Sequence, residues 1–276
     1  MTAIRSVLLH LDDLPASIVR LDFACALARR HEATLSAMFV GAPPQWPLQM
    51  ALTESPAALM QHVDWAASDR TKSRFDTASN AGGVTMRWLD NDNADAVAVF
   101  SRQALYADLL VLGQHDPGVA SASAVAAGFV ESVLIDTDRP ALVLPFEGEF
   151  RTAGNAVLIG WNATSHSARA VTAAMPWLRR AGRVHVLEAS DSAASSCEGE
   201  LDIVQYLQLH GIVATLHRHR APPADAGGFM LSLAKEVGAD LMVMGCYGHS
   251  RAREFMLGGA SRAVLRAMTI PVLMAH

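Results

Sequence analysis

The chain has few cysteines, few charged residues and no long apolar run. Three cysteines (Cys25, Cys197 and Cys246) lie far apart in 276 residues, which argues against a disulfide framework and favours a reducing compartment. Charged residues make up 18% of the chain and hydrophobic residues 51%, a composition typical of globular proteins. No apolar run has the length of a membrane span, and the first residues lack a signal-peptide pattern. We therefore expect a cytoplasmic protein that does not enter a membrane.

Several motifs of catalysis and cofactor binding are also missing. The sequence contains no Gly-x4-Gly-Lys-(Ser/Thr) phosphate loop and no Gly-x-Ser-x-Gly nucleophile turn, and neither half has Gly-x-Gly-x-x-Gly after its first strand. Asp12 and Asp13 are consecutive, so on a strand they would point to opposite faces and could not form a carboxylate pair. No nucleophile stands beside a general base, so the sequence gives no basis for strong catalysis.

Charge is divided unevenly along the chain. Residues 1–148 have an excess of seven acidic residues and residues 149–276 an excess of two basic ones, giving the net charge of −5. An acidic chain without a basic stripe is a poor candidate for binding nucleic acid. An anionic ligand would be favoured in the second half, although drift among solvated residues explains the asymmetry equally well.

The sequence repeats itself. Residues 107–113 (Ala-Asp-Leu-Leu-Val-Leu-Gly) return at 239–245 as Ala-Asp-Leu-Met-Val-Met-Gly, and residues 7–12 align with 157–162. The Pro-rich segment 41–56 is the natural place for the extra residues of the first half. We therefore predict two domains of the same fold, 1–148 and 149–276, joined through about 145–155.

Each half alternates apolar runs with helical patterns, and continuous Val, Leu and Met runs suit strands buried on both faces of a parallel sheet. The predicted strands are 4–11, 34–40, 84–89, 109–112, 141–144, 156–161, 184–189, 212–217, 241–244 and 272–275. The predicted helices are 15–30, 57–79, 94–105, 129–136, 167–180, 200–210, 225–237 and 259–267. The first helix has an apolar stripe at Ile18, Leu21, Ala24, Cys25 and Ala28. The fold class is α/β, as two tandem doubly wound parallel sheets.

A glycine-rich segment follows the strand at 241–244. Gly245, Gly248 and Gly258 have the spacing Gly-x2-Gly-x9-Gly, with Gly259 and Ser261 at the start of the next helical stretch. Glycine lets the backbone approach a phosphate closely, and a helix N-terminus offers unpaired N–H groups and a positive dipole end. The pattern therefore indicates an anion site.

This spacing resembles the universal stress protein family, whose nucleotide-binding members carry Gly-x2-Gly-x9-Gly-(Ser/Thr). Gly259 stands here in the place of the family hydroxyl residue, and Ser261 can substitute for it. The resemblance covers both halves apart from the Pro-rich segment, and it implies two domains similar to adenine nucleotide alpha hydrolases, with strand order 3-2-1-4-5. It also implies an intramolecular pseudo-dimer whose last strands, 141–144 and 272–275, pair edge to edge, with further homodimerisation left open.

The resemblance further implies an adenine nucleotide, ATP or AMP and possibly with Mg²⁺, in the second domain beyond the carboxyl ends of its strands. The residues placed at that site are Trp161, Asn162, Ala189, Met244, Gly245, Gly248, His249, Arg251, Gly258, Gly259 and Ser261. Asn162 stands where the family usually has Asp. An amide can contact a ribose hydroxyl or an adenine edge, or Asn162 simply turns the chain. The function implied is stress-response regulation with at most weak ATP hydrolysis.

The first half lacks the glycine motif. Asp116 takes the place of the second glycine, where a carboxylate would repel phosphate, and Pro117 removes an N–H donor. Gly128 stands near the place of the third glycine, without a following hydroxyl residue. We interpret the first half as a degenerate, mainly structural copy.

Other interpretations stay open from the sequence. His185, His210, His217 and His219 give a weak metal pattern, and we expect ordinary strand histidines and no metal. Cys246 is a small filler or a redox-sensitive thiol, and His249 and Arg251 are phosphate contacts or solvated loop residues. The alternative function is a nucleotide-independent scaffold acting through protein partners. An ATPase or phosphotransferase would need a general base that the sequence does not show.

Overall fold

The computed structural model describes residues 4–40, 65–90, 96–119, 127–189, 201–219, 226–246 and 259–276, which form ten strands and eight helices. The strands are β1 (Ser6–Leu11), β2 (Thr34–Phe39), β3 (Met86–Leu89), β4 (Leu109–Gly113), β5 (Ala141–Leu144), β6 (Ala156–Trp161), β7 (Arg183–Ala189), β8 (Ala214–His219), β9 (Leu241–Gly245) and β10 (Val272–Ala275). The helices are α1 (Pro15–His31), α2 (Trp65–Asn80), α3 (Ala96–Ala104), α4 (Phe129–Thr137), α5 (Ser165–Leu178), α6 (Ile203–Leu209), α7 (Ala226–Glu236) and α8 (Gly259–Ala267).

Contacts divide the chain into two compact units. The first unit comprises Met1–Arg139 with Phe146–Arg151, and the second comprises Pro140–Pro145 with Thr152–His276. The boundary predicted at 148/149 follows the sequence repeat. The division by contacts differs from it because β5 pairs with β10 and so belongs to the second unit.

The first unit contains parallel strands in the order β3-β2-β1-β4. The central residues of β1 and β4 are buried, as their unbroken apolar sequences predicted. Helix α1 begins at Pro15, which suits the first helical position because that residue needs no N–H donor. The predicted apolar stripe of α1 was wrong in one respect, since Ile18 is 44% exposed whereas Arg20 is only 2% exposed.

The second unit has the strand order β8-β7-β6-β9-β10-β5. Its first five strands are parallel and confirm the predicted order 3-2-1-4-5. Strand β5 pairs antiparallel with β10, with Val143 opposite Val272 and Ala141 opposite Met274. The edge-to-edge pairing expected of the last strands is therefore confirmed.

The repeated Ala-Asp-Leu sequence has a structural role in both units. Asp108 Oδ2 accepts hydrogen bonds from the backbone N–H groups of Arg5 (2.8 Å) and Ser6 (3.0 Å), at the start of β1. Asp240 Oδ1 accepts in the same way from Gly154 (3.1 Å) and Ala156 (2.9 Å), at the start of β6. Each carboxylate thus ties the beginning of the fourth strand of its half to the beginning of the first strand.

Element boundaries agree with the sequence to within a few residues where the structure describes them. Helix α6 begins at Ile203 rather than at 200, because Asp202 caps it and accepts a 2.7 Å hydrogen bond from the Gln205 N–H. The predicted helix 57–79 is described from Trp65 onwards, and the Pro-rich segment 41–56 lies outside the described residues. No helix in the described ranges is long and apolar enough to cross a membrane.

Candidate functional site

The candidate site lies at the carboxyl ends of β6 and β9. These parallel strands are neighbours, and their last aligned pair is Gly160 with Met244, so Trp161 and Gly245 end the two strands side by side. Trp161 is half-buried, Asn162 is exposed and Met244 is 3% exposed. The sequence therefore predicted correctly which strand ends come together, and it is here that the order of strands reverses.

A tight turn carries the chain from β6 into α5. Ala163 has a φ of 53°, in the left-handed region that residues with a Cβ seldom adopt. The turn brings the Thr164 hydroxyl within 2.8 Å of Asn162 Oδ1, to which it donates. A non-glycine residue in this conformation, beside a predicted ligand contact, is the kind of strain that is found at functional sites.

Thr164 is also the N-cap of α5 and forms a capping box with Ser167. Thr164 Oγ1 accepts from the Ser167 N–H (3.3 Å), and Ser167 Oγ accepts from the Thr164 N–H (3.1 Å). The capping residues were not predicted from the sequence, although a Thr before a helical stretch with a polar residue three positions later is a known start signal. The cap fixes the first turn of α5 next to the candidate site.

Gly245 is required by packing as well as by the motif. A Cβ at this position would lie 2.5 Å from the Ser167 nitrogen and 2.6 Å from the His166 carbonyl carbon. Both neighbours are backbone atoms of the first turn of α5, which cannot move aside like a flexible side chain. The missing side chain therefore lets the end of β9 approach the start of α5, independently of any ligand.

Helix α8 starts at Gly259, which is exposed, and Ser261 in its first turn is 4% exposed. The start of α8 is held close to α7, because a Cβ at Gly227 would lie 2.8 Å from both the carbonyl oxygen of Ala260 and the Cβ of Ala263. The predicted site residues Gly248, His249, Arg251 and Gly258 lie outside the described residues.

Ala189, the remaining predicted contact, ends β7 and is paired with His219 at the end of β8. Strand β7 lies on the side of β6 away from β9, as predicted. The structure thus brings Trp161, Asn162 and Gly245 together at neighbouring strand ends and places Ala189 at the end of the next strand.

The corresponding position in the first unit is occupied by an internal ion pair. Asp12 stands where the second unit has Asn162, and its Oδ2 lies 2.7 Å from Arg20 Nη2, with both side chains at most 2% exposed. The other carboxylate oxygen accepts from the Leu14 N–H (2.9 Å). The Arg20 guanidinium lies against Gly113, the counterpart of Gly245, where a Cβ would collide with it. Asp12 therefore has no oxygen directed to solvent.

In the first unit, a buried histidine fills the position next to this ion pair. His10 corresponds to Gly160 and is fully buried, with its ring 4.5 Å from that of Phe129 and 6.2 Å from that of Phe100. Its Nε2 donates to the Val40 carbonyl (2.9 Å), because a carbonyl oxygen can only accept. Burial is the largest cause and the charge of Arg20 the second, and together they lower the pKa of His10 to about 4. In the second unit, Gly160 is instead covered by the flexible side chain of Met230.

The geometry gives little support to the other candidate chemistries, which are a histidine metal site and a reactive Cys246. His185 Nδ1 and His217 Nε2 are 3.1 Å apart, and burial together with the neighbouring His217 lowers the pKa of His185. His219 stacks on Phe229 instead (3.7 Å). The described residues contain no group of three or more His, Cys, Asp or Glu that could hold a metal ion. Cys246 is buried, and its N–H donates to the Ala275 carbonyl (2.9 Å).

Asp12 and Asp13 do not form a catalytic pair. Asp12 is bound to Arg20, whereas Asp13 accepts from Arg70 and from Arg74 (3.1 Å) on helix α2. Each carboxylate therefore has its own cationic partner.

Comparison with known proteins agrees with this architecture. A model of the universal stress protein family matches residues 164–276, and no curated protein matches the chain. A solved universal stress protein from Archaeoglobus fulgidus DSM 4304 is 16% identical with a TM-score of 0.73, over 98% of this chain and 97% of that one. A putative universal stress protein from Pseudomonas aeruginosa UCBPP-PA14 is 16% identical with a TM-score of 0.63, over 99% of this chain and 93% of that one.

A third solved structure, of a functionally unknown protein from Pseudomonas aeruginosa PAO1, is 15% identical with a TM-score of 0.62, over 99% of this chain and 92% of that one. At these identities the similarity shows the fold alone. The family match and the fold nevertheless agree on the second half. Residues 164–276 therefore contain a domain that matches the universal stress protein family, and the whole chain, with its two domain-like halves, has the fold of a tandem member.

Proposed function

We propose that the second unit binds a purine nucleotide beyond the carboxyl ends of β6 and β9, with an adenine nucleotide as the ligand that the family resemblance implies. The observation that carries the proposal is the position of Gly245. This first glycine of the Gly-x2-Gly-x9-Gly spacing ends β9 directly beside the end of β6, where the strand order reverses. Open α/β sheets bind ligands at such a point.

The helix that follows the motif supports a phosphate subsite. Helix α8 begins at Gly259, directly after the third motif glycine, so its N-terminal N–H groups belong to the same segment of chain as the motif. Packing through Gly227 fixes the start of this helix relative to α7. A fixed helix N-terminus after a glycine-rich segment can stabilise the negative charge of a phosphate group.

We propose that the first unit is a structural copy without a nucleotide. The Asp12 carboxylate has both oxygens engaged inside the unit, and the His10 side chain with its aromatic neighbours fills the position that Gly160 occupies in the second unit. A buried, paired carboxylate cannot bind a ligand without losing its partner, which costs several kcal/mol.

The role that follows is stress-response regulation through a nucleotide-dependent change in the population of conformations, with at most weak hydrolysis. The sequence has no Gly-x4-Gly-Lys-(Ser/Thr) phosphate loop and no evident nucleophile beside a general base. Binding rather than turnover is therefore the proposed activity.

The test is the thermal midpoint of the protein with and without millimolar Mg-ATP or AMP, repeated on Gly248→Asp, which copies Asp116 of the first half. A ligand at 100 times its Kd stabilises its domain by about 2.7 kcal/mol, or several degrees. Gly182→Asp makes the same chemical change at an exposed glycine before β7 and is the matched control. The shift is expected in the parent and the control and should be lost in Gly248→Asp.

The alternative is a nucleotide-independent scaffold that acts through protein contacts. Leu209 and Val213, at the end of α6 and before β8, are 73% and 85% exposed, as residues of a contact surface would be. Absence of any midpoint shift with millimolar nucleotide, together with a stable protein partner, would favour this function over the first.

A further inference from the structure

Two histidines link the strands β7 and β8 of the second unit through their side chains. In the register of these strands His185 lies opposite Thr215 and Leu187 opposite His217, so the two histidines are diagonal neighbours on one face of the sheet. His185 Nδ1 and His217 Nε2 are 3.1 Å apart, which is a hydrogen-bond distance, so one nitrogen donates and the other accepts. Among the described strands β8 pairs with β7 alone, and the two rings therefore connect the last strand of this unit to the rest of its sheet.

The second ring nitrogen of His185 decides which histidine is the donor. His185 Nε2 is buried and has no hydrogen-bond partner among the described residues. If His217 were the donor, the only proton of the His185 ring would lie on this Nε2, as a buried N–H without an acceptor. If His185 Nδ1 donates instead, Nε2 carries only a lone pair, and buried acceptors are left unpaired more often than buried donors. The neutral pair therefore has its shared proton on His185 Nδ1.

A further proton cannot be added to the pair without cost while the hydrogen bond is kept. A protonated His185 could still donate from Nδ1, but it would have an N–H at the buried Nε2. A protonated His217 would bring a second N–H to face the first, unless the His185 proton moved to the same buried Nε2. Both protonated forms that keep the hydrogen bond thus leave a buried donor unpaired, so the link is favoured only while both rings are neutral.

The charged groups of the two strands do not stabilise a protonated ring. Arg183 lies two residues before His185, on the same face of β7. Burial is the largest cause that lowers the pKa of His185, and the neighbouring His217 and Arg183 act in the same direction. The ion pair of Glu188 with Arg218 (3.1 Å) lies on the opposite face, since side chains alternate along a strand. The described residues of β7 and β8 therefore offer no carboxylate on the face of the two rings.

Helix α7 packs on the same face and gives no acidic partner either. Phe229 near its start stacks on His219 of β8, with 3.7 Å between the ring centroids. The titratable residues of α7 are Lys235 and Glu236, both exposed at its end. No carboxylate in the described part of the chain forms an ion pair with either histidine of the pair. A proton added to the pair is therefore not compensated by a negative charge.

We propose that His185 and His217 form a pH-sensitive latch, which fastens β8 to β7 while both rings are neutral and opens when either ring takes up a proton. His217 is half-buried, so on opening its ring can turn to solvent. Strand β8 then keeps its backbone pairing with β7 but loses the side-chain link, and its backbone amides become less protected. The latch does not depend on the proposed nucleotide site.

The experiment measures amide hydrogen exchange of the full chain by NMR at several pH values between 7 and 5. Protection factors compare each amide with an unfolded peptide at the same pH, which removes the direct effect of pH on exchange. Protection of the β8 amides that bond to β7 should fall about five- to tenfold in the parent, the factor that the loss of one hydrogen bond gives. His217→Gln places an acceptor that does not titrate near the His185 Nδ1–H, so its protection should fall by about twofold or less.

A matched control and a second readout make the test specific. His219→Gln removes another histidine from the same face of β8 but leaves the pair intact, and it should repeat the fall seen in the parent. Nitrogen-15 spectra of the parent should show His185 protonated on Nδ1 at pH 7, with a titration midpoint below 6.5. Equal falls in the parent and in His217→Gln, protection of β8 that does not change with pH, or a proton on His185 Nε2 at pH 7 would each overturn the latch.

Discussion

The buried ring of His10 makes the first unit sensitive to acid. The ring is fully buried, and its pKa is lowered from 6.5 to about 4 by burial and by the charge of Arg20. The Asp12 carboxylate and the hydrogen bond to Val40 act in the opposite direction and are smaller effects. We expect the folded unit to keep this imidazole neutral at pH values where the unfolded chain already protonates it.

The size of the effect follows from the two pKa values. Between pH 6.5 and pH 4 the unfolded chain binds a proton that the folded chain does not, so the free energy of unfolding falls as the pH falls. The gap between 6.5 and about 4 corresponds to roughly 3 kcal/mol, and the loss should level off below pH 4. His185, whose pKa is also lowered, acts in the same direction in the second unit.

The assay is urea unfolding at several pH values between 7 and 4, for the parent and for His10→Gln. Glutamine can place an N–H donor near the Val40 carbonyl but does not titrate, and His185 contributes equally to both proteins. The variant should be less stable at pH 7, because it loses the ring contacts with Phe129 and Phe100, yet its stability should fall with pH by about 3 kcal/mol less. Equal losses in the two proteins, or an NMR titration of the His10 ring with its midpoint near 6.5, would refute the reasoning.

Three further predictions use chemical denaturation of the whole chain as the measurement. Gly227→Ala should destabilise the second unit by about 1–3 kcal/mol, because the new Cβ would lie 2.8 Å from the backbone of α8. The adjacent Gly228→Ala has no atom within 4 Å of its new Cβ, so it should stabilise α7 by up to about 1 kcal/mol. Equal effects of the two substitutions would contradict the packing. Arg20→Met should cost about 3–5 kcal/mol by leaving Asp12 buried without a cation, and adding Asp12→Leu should recover most of the loss if the pair is the cause. Ala163→Gly should stabilise the second unit by roughly 0.5–1 kcal/mol by relieving its left-handed backbone, and a loss would show that the turn carries no strain.

The positions of the strands could be predicted because the sequence carries their signal locally, whereas the strand order 3-2-1-4-5 was what the family resemblance implied. Strands β4, β5, β9 and β10 are unbroken apolar runs, and the repeat of 107–113 at 239–245 identifies the same strand in both halves. The carboxyl ends of the two central strands of the second unit, at Trp161 and Gly245, followed directly from that order. What periodicity cannot supply is the grouping of β5 with the second unit, which depends on pairing between strands far apart in the sequence.

The side-chain details of the site could not be predicted from the sequence, for a different reason. The sequence did not single out Arg20, and only its 2.7 Å distance to Asp12 shows that a buried cation lies on the inner face of α1. The Asn162 amide oxygen likewise accepts from a hydroxyl two residues away, which the turn at Ala163 brings back. Side-chain orientation depends on hydrogen-bond partners, and one-dimensional patterns do not encode those partners.

The two units differ in the charge of the polar residue that follows their first strand. A polar residue must follow the first strand to turn the chain, and in the first unit the carboxylate of Asp12 is neutralised from within by Arg20. In the second unit the place of Asp12 is taken by the uncharged Asn162, and no internal cation is needed. The neutral amide leaves its donors to solvent, so a ligand can replace water there without breaking an existing ion pair. Nucleotide binding would therefore be retained more readily in the second unit than in the first.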